Sequence, residues 1–174
     1  MEHQQPVEMN KTKEQQFVQF VIAKCNQDKG FAARLRRADN PATEYQSWEI
    51  LGPWVDLDNR FQRLPYATVA AGIARSKVEN NGNLGIGKAI AFAYADRQND
   101  AQAKAKLRRL LACEDISEVC RIIRPILTLV NSRVNRDLDY ARLLAELRYF
   151  GERSKTRWAQ DFYSTRDSKG QGVK

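Results

Sequence analysis

The sequence is poor in the residues on which enzyme active sites most often depend. Its 174 residues include one histidine, His3, and three cysteines. His3 lies in a polar N-terminal stretch that is predicted to be loose, so a Ser-His-Asp or Cys-His catalytic arrangement is not expected, because the base must be held beside its nucleophile. Cys25, Cys113 and Cys120 are odd in number and widely spaced, which fits neither a disulfide framework nor a zinc quartet. They are predicted to be buried free thiols in a reducing compartment.

Long apolar runs are also missing. No stretch approaches the roughly 18 apolar residues of a membrane span, and the polar N-terminus contains no apolar signal region. Hydrophobic residues still make up 43% of the chain, which is enough for a folded core. We therefore expect a folded cytoplasmic protein that makes no membrane contact.

Basic residues outnumber acidic ones. The chain has 29 Lys and Arg against 21 Asp and Glu, a net charge of +8. Most of the excess lies in residues 79–174, which hold 18 bases and 12 acids. Such an excess favours polyanions as partners, and nucleic acid is the commonest. A basic composition is also compatible with a merely solvated surface, so charge alone does not decide between the two.

Helical patterns run through almost the whole chain. Thr12 and Gln15 match a capping box, and Asp100 is placed to cap a later helix. No alternating strand pattern extends beyond about four residues. The sequence thus predicts an all-α fold of two small helical bundles joined by a short linker at DRQND, with residues 1–96 in the first bundle, 97–165 in the second, and a disordered tail at 166–174.

Three further helix starts are predicted from local signals. Pro65 is expected in a first helical turn, Ser117 as a helix cap, and Asp137 at the start of LDYARLL. Pro125 is expected to kink the helix that follows Ser117.

Basic side chains are predicted opposite the apolar sides of the C-terminal helices. The pairs are Arg121 and Arg124 near residues 117–130, Lys106 and Arg109 in the helix before, and Arg153 and Arg157 in the last helix. Bases backed by a packed face suit a fixed phosphate-binding surface. A solvated helix face with i, i+4 ion pairs would show the same pattern, so both interpretations stay open.

The segment GNLGIGK, from Gly82 to Lys88, has the G-x-x-x-x-G-K spacing of a phosphate-binding loop. That loop needs a following Ser or Thr for magnesium and a buried strand before it. Here Ala89 follows, and the preceding segment has a helical pattern. A nucleotide-binding enzyme is therefore the least favoured interpretation. The segment is predicted to be a glycine-rich turn into a helix, with Lys88 at its exposed start and free amide groups available to a backbone phosphate.

Clustered carboxylates do not predict a metal site. The acidic residues at 114–118 and 137–139 stand at predicted helix starts, where they cap free amides and complement the helix dipole. No metal or other cofactor is expected.

Four segments resemble a known family. They are LRRADNP (35–41), NLGIGKAIA (83–91), LRRLLACEDISEVCRIIRPIL (107–127) and YFGERSKTRWAQDFY (149–163). Each is short and helical, but their order and spacing and the total length make the match specific. Over about residues 14–165 the chain resembles the CasB family, the small subunit of the type I-E CRISPR Cascade surveillance complex.

The resemblance implies an all-helical, non-enzymatic subunit with no small-molecule substrate. It implies that two copies lie head to tail in the complex, beside the backbone and large subunits, the guide RNA and the target DNA. Their basic surface would support the displaced DNA strand and stabilise the R-loop, while guide pairing reads the sequence. The alternative from the residues alone is a free-standing helical DNA- or RNA-binding protein, although no helix start shows the Asn, Gln and Arg of a groove-reading helix.

The family has a basic groove that binds nucleic acid. The resemblance assigns this role only to positions where this chain has a base that matches one in the family. The resemblance implies nucleic-acid-binding roles for Arg37, Arg60, Lys88, Arg124 and Arg153, with Lys77 as a weaker match. The predicted helix faces add Arg36, Arg121 and Arg157. Glu152 departs from family members that have a base there, which weakens that end of the surface. Few aromatics lie among these bases in the sequence, so phosphate contacts are expected more than base stacking.

Overall fold

The computed structural model describes residues 10–165, and it confirms the all-α prediction. His3 and the predicted tail at 166–174 lie outside this range. None of the described helices is long and apolar enough to cross a membrane. Two short 3-10 helices, Glu44–Ser47 and Arg97–Asn99, accompany the α-helices. The α-helices of this range are α1 (Lys13–Gln27), α2 (Lys29–Leu35), α3 (Trp48–Leu51), α4 (Arg60–Ser76), α5 (Ile86–Phe92), α6 (Ala101–Leu111), α7 (Ile116–Arg133), α8 (Tyr140–Arg148) and α9 (Glu152–Tyr163).

Two of the predicted helix caps are confirmed. Thr12 and Gln15 form the reciprocal capping box at the start of α1. The Asp100 carboxylate accepts hydrogen bonds from the amides of Gln102 and Ala103, at 2.8 and 3.0 Å, and so begins α6. Both caps satisfy amides that have no partner inside the helix.

Three other helix starts were predicted at the wrong residue. Asp115, not Ser117, caps α7, because its carboxylate accepts from the amide of Glu118 at 3.0 Å. Asp139, not Asp137, caps α8. α4 begins at Arg60, well before Pro65, because the Asn59 side chain accepts from the amide of Phe61. In each case a neighbouring Asp or Asn reaches the free amides of the first turn.

α4 is the central helix of the fold. Every residue from Pro65 to Ala74 is buried. It packs against α7 and α8 from the second half of the chain and against α1 and α2 from the first. α5, from the first half, packs most extensively on α9, the last helix. Buried side chains from both halves thus form one hydrophobic cluster, and the boundary at residue 96 stays a prediction.

Two polar contacts connect distant parts of the chain. Glu14 in α1 forms an ion pair with Arg148 in α8. The loop before α5 meets the loop before α8 through an isolated parallel β-bridge between Leu84 and Leu138. At that crossing a Cβ on Gly82 would lie 1.9 Å from the carbonyl oxygen of Asp137, so only glycine fits.

The cysteines are free thiols, as predicted; Cys113 and Cys120 are buried, but the prediction of burial is wrong for Cys25, which is only half-buried. Burial raises the pKa of the Cys120 thiol to about 12, although a hydrogen bond with Thr68 opposes the shift. It raises the pKa of Cys25 to about 11, with Arg36 opposing. Both thiols therefore stay protonated in the folded protein at neutral pH.

These raised values predict an alkaline loss of stability. Above the ordinary thiol pKa of 9.0, the unfolded chain releases protons that the folded chain retains until about pH 11 at Cys25 and about pH 12 at Cys120. The free energy of unfolding should therefore fall as the pH rises from about 9 towards 12. Urea unfolding across this range, compared with a Cys25→Ser, Cys120→Ala variant, measures the effect. An equally steep decline in the variant would contradict the assignment to these thiols.

Candidate nucleic-acid interface

Most of the predicted basic residues fall into three groups on different clefts, whereas Arg37 and Lys88 line none of these three clefts. The first group lies between α4 and α7, the second beside the C-terminal end of α4, and the third along α9. Each group combines side chains from segments far apart in the sequence, except the third, which α9 carries largely by itself.

The first group surrounds a cleft of about 650 Å³ between α4, α7 and the segment that follows α2. Arg121 and Arg124 line it from α7 and are exposed. Arg60, also exposed, donates a hydrogen bond to the Ser117 hydroxyl, which lines the same cleft. The lining also includes Leu64, Ala67 and four carboxylates, those of Asp39, Glu44, Asp115 and Glu118. We call Arg60, Arg121 and Arg124 the α4–α7 arginines.

Asp39 lies in the segment that follows the basic helix α2, and it connects that segment to α4 and α7. Its carboxylate, only 4% exposed, lies 2.5 Å from an Arg75 guanidinium nitrogen and 3.4 Å from Nε of Arg124. Arg75 also donates to the carbonyl oxygen of Arg36, at 3.2 Å. Because a buried carboxylate needs charged partners, this network holds the segment after α2 against α4 and α7. Arg124 thus has a structural role as well as an exposed guanidinium.

Arg37 lies on the same segment. It is exposed, and its guanidinium donates to the Gln46 side chain at 2.7 Å. An amide is a neutral acceptor, so the positive charge of Arg37 is not compensated by this contact.

The second group lies on a cleft of about 410 Å³ beside the end of α4. Arg36 and Lys77 are both exposed there, together with Lys29, which the sequence did not single out. Arg36 donates to the carbonyl oxygen of Ala74 at 3.3 Å, which positions its guanidinium. Lys77 ends α4 in the left-handed conformation, with φ of 54°.

The third group follows α9. Arg153 and Arg157 are exposed and line a cleft of about 270 Å³ with Arg142 of α8. The charge of Arg142 is compensated within the protein, because its guanidinium forms ion pairs with Glu146, at 2.9 Å, and with Asp161. Arg153 and Arg157 are therefore the residues of this group that face outward.

Glu146 of α8 holds α9 in place through hydrogen bonds from two α9 side chains. Burial raises the pKa of its carboxyl above the usual range, and hydrogen bonds from Trp158 and Arg142 oppose the shift. The indole nitrogen of Trp158 donates to Glu146 at 2.7 Å, and the Ser154 hydroxyl donates to the Glu146 backbone carbonyl. The predicted inward face of Trp158 and Phe162 is confirmed, since both are completely buried.

Lys88 does not lie at an exposed helix start, as the sequence had predicted. It is 9% exposed, and its ammonium donates to the carbonyl oxygen of Ser164, after α9. A Cβ on Gly87 would lie 2.1 Å from the carbonyl oxygen of Trp158. The G-x-x-x-x-G-K segment is thus packed against α9, which leaves no room for a phosphate to enter between them. A nucleic-acid contact by Lys88 stays a prediction.

Sequence reasoning missed one cationic surface with aromatic rings in it. Phe92 and Tyr94 are half-buried and lie beneath Arg97, Arg133 and Arg136. The expectation that few aromatics lie among the bases does not hold here. Phe92 and Arg136 are 44 positions apart in the sequence, so no local pattern could have shown that they meet.

These features define an all-helical protein whose surface carries several arginine-lined clefts and whose described residues contain no cluster of metal ligands. The family model for CRISPR-associated protein Cse2 matches residues 32–163, so the chain belongs to the Cse2 family, to which CasB proteins belong. The resemblance to CasB is confirmed. No match was found among curated proteins.

A solved structure shares the fold. The crystal structure of M. ruber CasB superposes with a TM-score of 0.69, at 21% sequence identity, over 88% of this chain and 94% of that chain. Family membership indicates that the protein is a structural subunit of a CRISPR Cascade complex and acts with other subunits.

Proposed function

We propose that this protein is the non-enzymatic small subunit of a type I-E Cascade complex and stabilises the R-loop by sequence-independent contacts to the displaced DNA strand. Guide pairing reads the sequence, and exchange of one duplex for another is nearly balanced in free energy. A few phosphate contacts on the displaced strand are then enough to shift the equilibrium towards the open state. The proposal includes a second copy of the chain, the backbone and large subunits, the guide RNA and the target DNA as partners, all in the cytoplasm.

The observation that carries this proposal is the meeting of the α4–α7 arginines at one cleft. Arg60 comes from the first half of the chain, and Arg121 and Arg124 come from the second. α4 and α7 are packed on each other, so the backbone positions from which these arginines project are set by the core rather than by a loop. Arginines on a rigid surface bind phosphates without reading bases, which is the chemistry that a displaced strand of any sequence requires.

A salt titration tests the proposal on the full-length protein. Arg121→Gln with Arg124→Gln removes two charges at the cleft, while Arg75 remains to pair with Asp39. We expect weaker binding to labelled single-stranded DNA, with the slope of log K against log salt reduced by about 1.4, or about 0.7 for each lost phosphate contact. Fluorescence anisotropy over a salt series gives both quantities.

The matched control removes two exposed lysines elsewhere. Lys11→Gln with Lys24→Gln lowers the net charge by the same amount. Lys24 lies in α1, and Lys11 lies two residues before that helix begins. If the control and the Arg121, Arg124 variant bound equally, only net charge would matter and the cleft would not be the interface. A strong preference for one sequence would favour the free-standing DNA- or RNA-binding protein instead.

The assembled complex provides the functional readout. Cascade reconstituted with the Arg121, Arg124 variant should assemble normally but open target duplex less completely, as measured by permanganate reactivity of the displaced strand. Opening equal to that of the wild-type complex would contradict the proposed role. Failure of the variant to assemble would instead place the α4–α7 arginines at a subunit contact and also overturn it.

A further inference from the structure

A further basic surface lies at the C-terminal end of α7, around two aromatic rings. Phe92 ends α5, and Tyr94 follows it. The guanidinium carbons of Arg97 and Arg136 lie 4.7 and 5.7 Å from the centre of the Phe92 ring, and that of Arg133 lies 5.3 Å from the centre of the Tyr94 ring. We call these five residues the Phe92–Tyr94 patch.

The charges of Arg133 and Arg136 are not paired with acids in the described part of the chain. Both side chains are exposed, and no carboxylate of residues 10–165 lies within 4.0 Å of either guanidinium. Among residues 10–165, Arg133 donates only to the carbonyl oxygen of Ala93, at 3.5 Å. Asp137 shares the shallow cleft of Arg136 but does not pair with it. Like charges gathered in this way repel each other, and a bound polyanion relieves that repulsion.

The rings hold the guanidiniums in place. A planar guanidinium over an aromatic face is attracted to the ring and loses rotamer freedom before any ligand arrives. An arginine ordered in this way gives up less entropy when it binds a phosphate. Because Phe92 and Tyr94 are half-buried while Arg133 and Arg136 are exposed, the guanidiniums rather than the rings are open to a ligand.

The patch is separate from the α4–α7 arginines. Arg133 follows Arg124 by nine positions on α7, which corresponds to about 2.5 turns and about 13 Å along the helix. Because 2.5 turns is half a turn more than two full turns, Arg133 lies on the opposite side of the helix from Arg124. One strand that follows the α4–α7 cleft therefore does not reach both guanidiniums along one helix face.

We propose that the Phe92–Tyr94 patch is a second binding site for single-stranded nucleic acid, with Arg133 and Arg136 on phosphates and Phe92 and Tyr94 as positioning residues. For its ligand class the inference depends on the proposed function, but it concerns different residues and a different side of α7. A chain with two such surfaces binds two stretches of unpaired strand at once.

Variants at each surface distinguish the two proposals. Arg133→Gln with Arg136→Gln should weaken binding of a labelled single-stranded oligonucleotide that is long enough to occupy both surfaces, about tenfold at low salt, and reduce the salt slope by about 1.4. Because one such strand contacts both surfaces, the losses in binding free energy of this variant and of the Arg121, Arg124 variant should add. The Lys11, Lys24 variant again controls for net charge, and thermal melting confirms that each variant is folded.

Phe92→Leu tests the role of the ring without changing any charge. Loss of the ring should weaken binding about two- to fivefold while leaving the salt slope unchanged, because the phosphate contacts persist but are less ordered. Unchanged affinity would overturn the positioning role of Phe92.

Each remaining outcome has a definite meaning. If the Arg133, Arg136 variant binds like the wild type while the Arg121, Arg124 variant is weaker, the second site is wrong and the proposed function stands. If both double variants bind like the wild type, both proposals fall. Loss of duplex binding with unchanged single-strand binding would contradict the assignment of unpaired strand as the ligand.

Discussion

Replacing Trp158 by alanine is expected to lower the free energy of unfolding by about 3–5 kcal/mol, which corresponds to a fall in Tm of about 6–20 °C for a chain of this size. The indole is completely buried and stacks on Phe150, with ring centres 6.0 Å apart. Its removal leaves a cavity where α9 meets the core, and it takes the hydrogen-bond donor from the buried Glu146 carboxylate. Urea denaturation monitored by circular dichroism measures the change.

Trp158→Phe separates the two contributions. Phenylalanine keeps most of the ring volume but cannot donate to Glu146, so we expect a loss of about 1–3 kcal/mol. Adding Glu146→Gln to Trp158→Phe removes the buried charge and should recover part of that loss. A Trp158→Ala protein that melts like the wild type would contradict the burial of the ring between α9 and the core.

Gly87→Ala is the second change with a large expected effect, and its direction is the opposite of what helix propensity predicts. In an exposed helix interior, alanine is favoured over glycine by about 1 kcal/mol. At Gly87, however, the new Cβ would lie 2.1 Å from the Trp158 carbonyl oxygen and 3.1 Å from the Phe162 amide nitrogen. Both are backbone atoms, so α5 and α9 must separate. We expect a net destabilisation of about 1–3 kcal/mol, read from thermal or urea unfolding.

Gly151→Ser is the matched control for this prediction. Apart from Gly151 itself and its two chain neighbours, no heavy atom of residues 10–165 lies within 4 Å of a Cβ on Gly151, and its φ of 172° is an extended conformation that any residue adopts. Gly151 is also the cap residue of α9, where serine is preferred, so stability should be unchanged or slightly higher. Equal effects of the two substitutions would mean that the α5–α9 contact is not tight.

The helices were predictable because their signals are local. The Thr12 capping box and the Asp100 cap each need only three or four neighbouring residues, and both formed as expected. The starts at Ser117 and Pro65 were wrong because Asp115 and Asn59, a few positions earlier, cap the amides of Glu118 and Phe61 and so begin each helix sooner. A sequence with several capping residues close together does not show which of them the packed helix will use.

The placement of the basic residues was only partly predictable. Arg121 and Arg124 are exposed opposite the apolar face of α7, as the helical period requires. Lys88 was predicted to be exposed at the start of its helix, yet it is buried and donates to the carbonyl oxygen of Ser164, just after α9. The Asp39 network and the Phe92–Tyr94 patch join residues more than 30 positions apart, so periodicity within one helix carries no information about them.

By itself the sequence determined the all-α class, the family and the excess of positive charge, because these depend on composition, local caps and the order of short segments. The tertiary structure alone decided which charges face solvent and which are used inside the protein. Arg142 is held by Glu146 and Asp161, and Arg75 by Asp39, whereas Arg133 and Arg136 meet aromatic rings and no described carboxylate. The reason is physical: the charge that a side chain presents depends on the groups within a few ångströms of it, and packing of distant helices supplies most of those groups.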